Sequence, residues 1–239
     1  MTTSKLWDYC AFAYNRTIKN SVSHQLQFLD ILKALNLDVG HKILDAGCGT
    51  GNFEKFLAEH ESEIEIIGLD FSNKMIKRAK KNCRKFKNVS FQRANLRKKI
   101  DFEKSSFDRI TCINALFTIN ENDLVLKEFY RLLKPGGRVV IADPRPDSTM
   151  KEVIKAYFNF LKGKTKKRKL LGIFKTFIIA PFVLVVLISS SVIVLLEKKG
   201  NYHFHSKEEY KKLLTETGLV NIVIGETLSG QDWLITAKK

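Results

Sequence analysis

A chain of 239 residues with 44% apolar side chains can bury a full core, either as one α/β domain with an insertion or as two small domains, and is not a disordered polymer. Its net charge of +16 is unevenly placed: residues 71–99 carry 12 basic and no acidic side chains, and residues 144–205 carry 12 basic and 3 acidic ones. Four cysteines without a CxxC pair exclude a zinc finger or disulfide framework and fit a reducing cytosolic setting. MTTSKLWDYC contains no apolar run, so a signal peptide is not expected.

From residue 41 the chain alternates strand-like and helix-like segments. HKILDAG (41–47) is a short apolar run that ends in glycine. GNFEKFLAEH follows, with Phe53, Phe56, Leu57 and His60 at helical spacing. EIEIIGLD (63–70) is a second strand, and Ser72 caps a helix whose buried stripe is Met75, Ile76, Ala79, Cys83 and Phe86. VSFQRA and FDRITCINAL (107–116) are the third and fourth strands. DLVLKEFYRLL (123–133) is a helix stopped by KPGG, and RVVIAD (138–143) is the fifth strand. Such alternation means a parallel sheet with helices on both faces.

The alternation breaks over 144–205 and resumes. SKEEYKKLLTETGL is a helix opened by a Ser206/Glu209 capping box and stopped at Gly218. NIVIGETLS and DWLITAKK are two strands joined by a short hairpin, so residues 144–205 are an insertion within one domain.

The chemistry is concentrated in LDAGCGTGNF, residues 44–53. Gly47, Gly49 and Gly51 permit a tight turn and a close ligand approach where the loop opens a helix. Asp70 ends the next strand, where a carboxylate meets the hydroxyls of a ribose.

Together with IIGLDFS, ANL (94–96), RLLKPGGRVVIAD and FHSKEEYKKLLTETGL, these stretches resemble the class I S-adenosylmethionine-dependent methyltransferases, nearest to the quinone-biosynthesis and small-molecule group. The resemblance implies a Rossmann-like, seven-stranded, mostly parallel sheet with a final antiparallel strand and a hydrophobic insertion after the fifth strand. It divides the chain into an N-terminal helical lid (1–40), the cofactor-binding core (41–143), the insertion (144–205) and the completion of the sheet (206–239). Its implied cofactor is S-adenosyl-L-methionine, with no metal. Asp45, Ala46, Gly47, Cys48, Gly49 and Gly51 would hold the methionine end, and Asp70 the ribose. Phe71, Met75, Asn95 and Leu96 would surround the adenine, and Asn114 would lie beside the sulfonium. Tyr14 matches an aromatic that closes over the site. Where many relatives have a histidine after the fourth strand, this chain has Phe117 and Thr118. His203, His205 and Asp143 are the remaining candidates for catalytic contact with an acceptor.

Within the insertion, residues 176–196 (TFIIAPFVLVVLISSSVIVLL) carry no charge and, as a helix, would span about 31 Å, one bilayer core. A single crossing would separate strands that belong to one sheet. KGKTKKRK before the stretch and EKK after it place both ends on the cytoplasmic side. The expectation is a monotopic anchor in one leaflet, bent at Pro181 or the Ser189–Ser191 triplet. The alternative is an apolar substrate cover or dimer interface. Expected partners are a hydrophobic or lipid acceptor and an anionic membrane surface at the cytoplasmic face. The 71–99 face is otherwise a solvated helix surface, or the RNA-binding face of an RNA methyltransferase, which the scarcity of aromatics among its lysines disfavours.

Overall fold

A computed structural model of the chain describes residues 15, 22–148 and 202–239. The expected Tyr14 contact and the 176–196 stretch lie outside the described residues.

The described chain runs α1 (Val22–Leu35), β1 (Lys42–Ala46), α2 (Asn52–His60), β2 (Glu65–Asp70), α3 (Asn73–Asn82), β3 (Val89–Arg93), β4 (Phe107–Ile113), α4 (Asn122–Leu132) and β5 (Leu133–Pro144). After the insertion come α5 (Lys207–Glu216), β6 (Val220–Thr227) and β7 (Asp232–Lys238). The seven strands form one sheet in the order β3-β2-β1-β4-β5-β7-β6. β1 to β5 pair in parallel, and β7 is antiparallel to both β5 and β6. This is the expected Rossmann-like architecture.

The central strands are apolar because both faces are covered. On one face Phe28, Ile31, Leu35, Phe53, Phe56 and Leu57 pack α1 and α2 against Ile43, Ile66 and Val140. On the other, Leu126, Phe129, Tyr210 and Leu214 pack α4 and α5 against Leu44, Ile110 and Ile141. The strand order reverses between β1 and β4, so a crevice opens at the carboxyl ends of these two strands.

Two expected caps are present. Ser72 Oγ accepts from the Met75 N–H at 3.1 Å. At α5, Ser206 Oγ accepts from the Glu209 N–H while Glu209 Oε2 accepts from the Ser206 N–H at 2.7 Å. One boundary differs from expectation. The helix stops before KPGG as expected, with α4 ending at Leu132, but β5 already begins at Leu133 rather than at Arg138. Pro135 disfavours the helical conformation at Lys134, so the chain becomes extended at once. The excess length is absorbed by a register shift between Phe107 and Arg109, with Gly136 at φ +74°.

Candidate active site

The loop after β1 is pinned to β2 by its own backbone. Gly47 and Cys48 both donate to the Leu69 carbonyl, at 2.7 and 2.8 Å. Gly47, Gly49 and Gly51 have φ of +88°, +53° and +73°. At Gly47 a side chain is excluded twice, by this backbone and by Ala115, whose Cβ would lie 2.5 Å from an added Cβ. Asp70 Oδ2 accepts from the Gly49 N–H at 3.0 Å, and its Oδ1 accepts from the Ser72 N–H at 2.8 Å. The carboxylate is therefore fixed in orientation.

Beneath the loop lies an acid cluster. Asp45, 2% exposed, accepts from Thr111 Oγ1 at 2.6 Å, and burial pushes it up to about 6. Glu54 on α2 is fully buried beside it, and burial together with the Asp45 charge pushes it well above the usual carboxylate range. Gly68 makes room for it, since an added Cβ would lie 2.5 Å from Glu54 Oε1. Such a cluster favours a cation above it.

An open cleft follows from the loop. Asp45, Gly47, Cys48, Gly49, Thr50 and Asn52 form its floor, Ile113 and Asn114 its β4 side, and His24, Gln27, Phe28 and Phe53 its outer side. Burial holds His24 down to about 4, so its imidazole is neutral. Asn114, at φ +51°, is held by a bond from its N–H to the Ala142 carbonyl at 2.6 Å.

Toward the β2 and β3 ends, Phe71 is half-buried and its carbonyl accepts from Arg93 Nε. Met75 and Leu96 are buried, whereas Asn95 is exposed with its Oδ1 accepting from the Arg97 N–H. These residues and Asp70 lie along the carboxyl edge of the sheet, as the adenosine half of the cofactor requires.

None of the three described candidates for acceptor contact lines the cleft. Asp143 is fully buried and receives the N–H groups of Ala115 and Phe117 and the hydroxyl of Tyr210, at 3.1, 2.8 and 2.6 Å. It secures the turn that carries Asn114, and burial pushes it up to about 7. His205 is buried, within 3.1 Å of Asn122 Nδ2, and burial holds it down to about 4. His203 is exposed and pairs with Glu209 at 3.2 Å.

His24, Gln27, Glu54 and Asp232 were not singled out by the sequence. A signal existed for Gln27: it shares the buried stripe of α1 with Phe28, Ile31 and Leu35, where a polar residue is out of place. Glu54 interrupts the buried face of α2 in the same way.

The family profile described as "Methyltransferase domain" matches residues 37–218, which include the glycine loop, Asp70 and Asn114. The chain belongs to the S-adenosylmethionine-dependent methyltransferase family. Relatives of this methyltransferase include the demethylmenaquinone methyltransferase of Staphylococcus saprophyticus, 25% identical over 203 residues, 84% of this chain and 79% of that protein. Phosphoethanolamine N-methyltransferase 3 of Arabidopsis thaliana is 33% identical over 129 residues, 51% of this chain and 25% of that protein. Against two of its curated relatives the methyltransferase spans 25% and 59% of their length. A solved SAM-dependent methyltransferase from Aquifex aeolicus shares the fold, with TM-score 0.62, 17% identity, and coverage of 95% of this chain and 97% of that one.

The residues present fit S-adenosylmethionine. The glycine backbone admits close approach, Asp70 would present a fixed carboxylate to the ribose, and the Asp45 carboxylate under the loop would suit its positive charge. Among the described residues, no cluster of His, Cys, Asp and Glu could hold a metal ion, and no helix is long and apolar enough to cross a membrane.

Proposed function

We propose that this methyltransferase transfers a methyl group to a hydrophobic acceptor of the lipid or prenylated-quinone class while docked on the cytoplasmic face of a membrane. S-adenosylmethionine supplies an electrophilic methyl with a neutral leaving group, so the protein's work is alignment and exclusion of water. The glycine loop and Asp70 hold one end of the cleft. Asp143 and Tyr210 stiffen the turn after β4, where Asn114 meets the reacting end.

The observation that carries the reading is where the insertion leaves and returns. Arg145, just past β5, donates its backbone N–H to Gln231, and its guanidinium stacks 4.6 Å over Trp233 while pairing with Asp147 and Glu226. On return, Tyr202 is buried, the His203 N–H reaches the Phe117 carbonyl at 3.0 Å, and Phe204 stacks on Phe117 at 5.2 Å. Both ends of a segment holding 21 consecutive uncharged residues are thus fastened at the carboxyl edge of the sheet, beside the turn that carries Asn114. An apolar anchor fastened there brings the cleft to a lipid surface. The demethylmenaquinone methyltransferase relatives support an acceptor of quinone type. On α3, Lys77, Lys80 and Lys81, with Arg84 beyond it, make no ion pair among the described residues and suit an anionic surface, at about 1 kcal/mol per basic residue.

The test is vesicle flotation of the full chain and of a chain lacking 149–201, with transfer from labelled cofactor into extracted membrane lipids. Flotation and labelling by the full chain, lost on deletion, are expected. If both proteins stay in the aqueous phase and label the same water-soluble acceptor, the membrane reading fails. Steeply salt-dependent RNA affinity without flotation would point instead to an RNA substrate.

A further inference from the structure

Gln27 is completely buried on α1 and lines the cleft. Its Nε2 donates to Asp232 Oδ2 at 2.6 Å, across 205 residues of chain. Its Oε1 has no hydrogen-bond partner among the described residues. Asp232, 3% exposed at the start of β7, also has the side chain of Asn114 near enough to pull its titration down against burial. One buried carboxylate therefore holds the Gln27 amide at the cleft.

This arrangement dictates orientation. An ionised carboxylate only accepts, so Gln27 turns its nitrogen toward Asp232. The oxygen of Gln27 is left pointing away from Asp232. α1 cannot easily shift to relieve it, because Thr227 Oγ1 donates to Asp30 at 2.9 Å and ties the helix to the same hairpin. A buried amide oxygen without a donor is a standing cost in the free protein, and a ligand that brings a donor removes it.

We propose that Gln27 Oε1 is a recognition point for one N–H or O–H donor of a ligand bound in the cleft, and that Asp232 is the positioning residue that aims it. Two ligand groups carry this chemistry: the ammonium of the cofactor's amino-acid end, and a hydroxyl or amine on the methyl acceptor beside its reacting atom. The inference rests on the cleft being the methyl-transfer site.

The full chain is titrated by calorimetry at about pH 8.5, above the value of about 7 to which burial pushes Asp232, so that the carboxylate is ionised. S-adenosylhomocysteine is compared with 5′-methylthioadenosine, which lacks the amino-acid end. The homocysteine complex is then titrated with a prenylated 1,4-naphthohydroquinone and with its dimethyl ether, which has no donor. Gln27→Met removes the oxygen with little change in volume. Asp232→Asn keeps the shape but no longer dictates which end of Gln27 faces the cleft. The double variant carries no buried carboxylate left short of a donor, so it keeps the test readable if Gln27→Met alone does not fold.

If the donor is the cofactor ammonium, Gln27→Met weakens S-adenosylhomocysteine by about tenfold and leaves methylthioadenosine unchanged. If the donor is on the acceptor, both cofactor fragments bind as before, and a preference of about tenfold for the hydroquinone over its ether disappears. In either case Asp232→Asn gives part of the same selective loss. The inference is overturned if the variants alter neither selectivity, or if they weaken S-adenosylhomocysteine and methylthioadenosine by one common factor. A wild-type chain that does not bind S-adenosylhomocysteine at all would instead sink the assignment of the cleft as the transfer site.

Discussion

Tyr210→Phe removes a single oxygen from α5. That hydroxyl donates to Asp143 Oδ2 at 2.6 Å, and both residues are fully buried. Burial raises Asp143 from 3.8 to about 7, against the opposing pull of the bonds from Tyr210, Phe117 and Ala115. A carboxyl raised in the folded state keeps a proton that the unfolded chain has already lost. Its contribution to stability therefore falls as pH rises from 3.8 to about 7, and the full cost is present above that value. The Tyr210 bond favours the ionised form, so the variant raises Asp143 further and extends the loss to higher pH. Near pH 5.5 the variant forfeits a bond to a neutral acid, worth about 0.5–1.5 kcal/mol. Near pH 8.5 it forfeits a bond to a charged one, worth about 1.5–3 kcal/mol. Urea unfolding of the full chain at both pH values should show destabilisation larger by about 1 kcal/mol at the alkaline value, or roughly 2–4 °C in Tm for a chain of this size. Equal destabilisation at both, or a larger effect in acid, would refute the placement of a mostly protonated Asp143 behind the site.

Gly47→Ala combines a φ of +88° with a contact of 2.5 Å to Ala115, so the loop must leave the β4 turn; calorimetry should show S-adenosylhomocysteine affinity lower by more than about 100-fold, and wild-type affinity would contradict the close-approach argument. Asp70→Ala releases the Gly49 and Ser72 N–H groups as well as the ribose contact. It should weaken the same ligand by about 10–100-fold, and an unchanged Kd would remove Asp70 from the site. Ser206→Ala breaks the capping box of α5 and should cost about 1 kcal/mol by chemical denaturation, with cofactor affinity unchanged.

Features specified within a few residues were legible in the chain itself. The Ser206/Glu209 capping box and the Ser72 cap each depend on a neighbour three residues away, the glycine turn after β1 depends on the backbone freedom of its own glycines, and each is found where the sequence places it. The central strands β1, β2, β4 and β5 were legible because a strand buried on both faces must be apolar throughout, and the reversal of strand order then locates the crevice. Hydrophobic segments 176–196 announce themselves by composition alone.

What sequence reading missed depends on partners that are distant along the chain. Asp143 was a candidate for acceptor contact; its environment is set by Ala115 and Phe117, 28 and 26 residues away, and by Tyr210, 67 residues away. The fifth strand was expected to open at Arg138, and only the pairing of Leu133 with Phe107 starts it earlier. Gln27 and Asp232 are 205 residues apart, and no local pattern links an amide in a helical stripe to an acid at a strand start. The sequence by itself determined the strand–helix alternation and the glycine turn, because local backbone preference and apolar periodicity encode them, and its motifs carried the resemblance to the family. Only the tertiary structure decided which buried polar groups face one another across the cleft, because their hydrogen bonds form only after the sheet has brought β7 and α1 together.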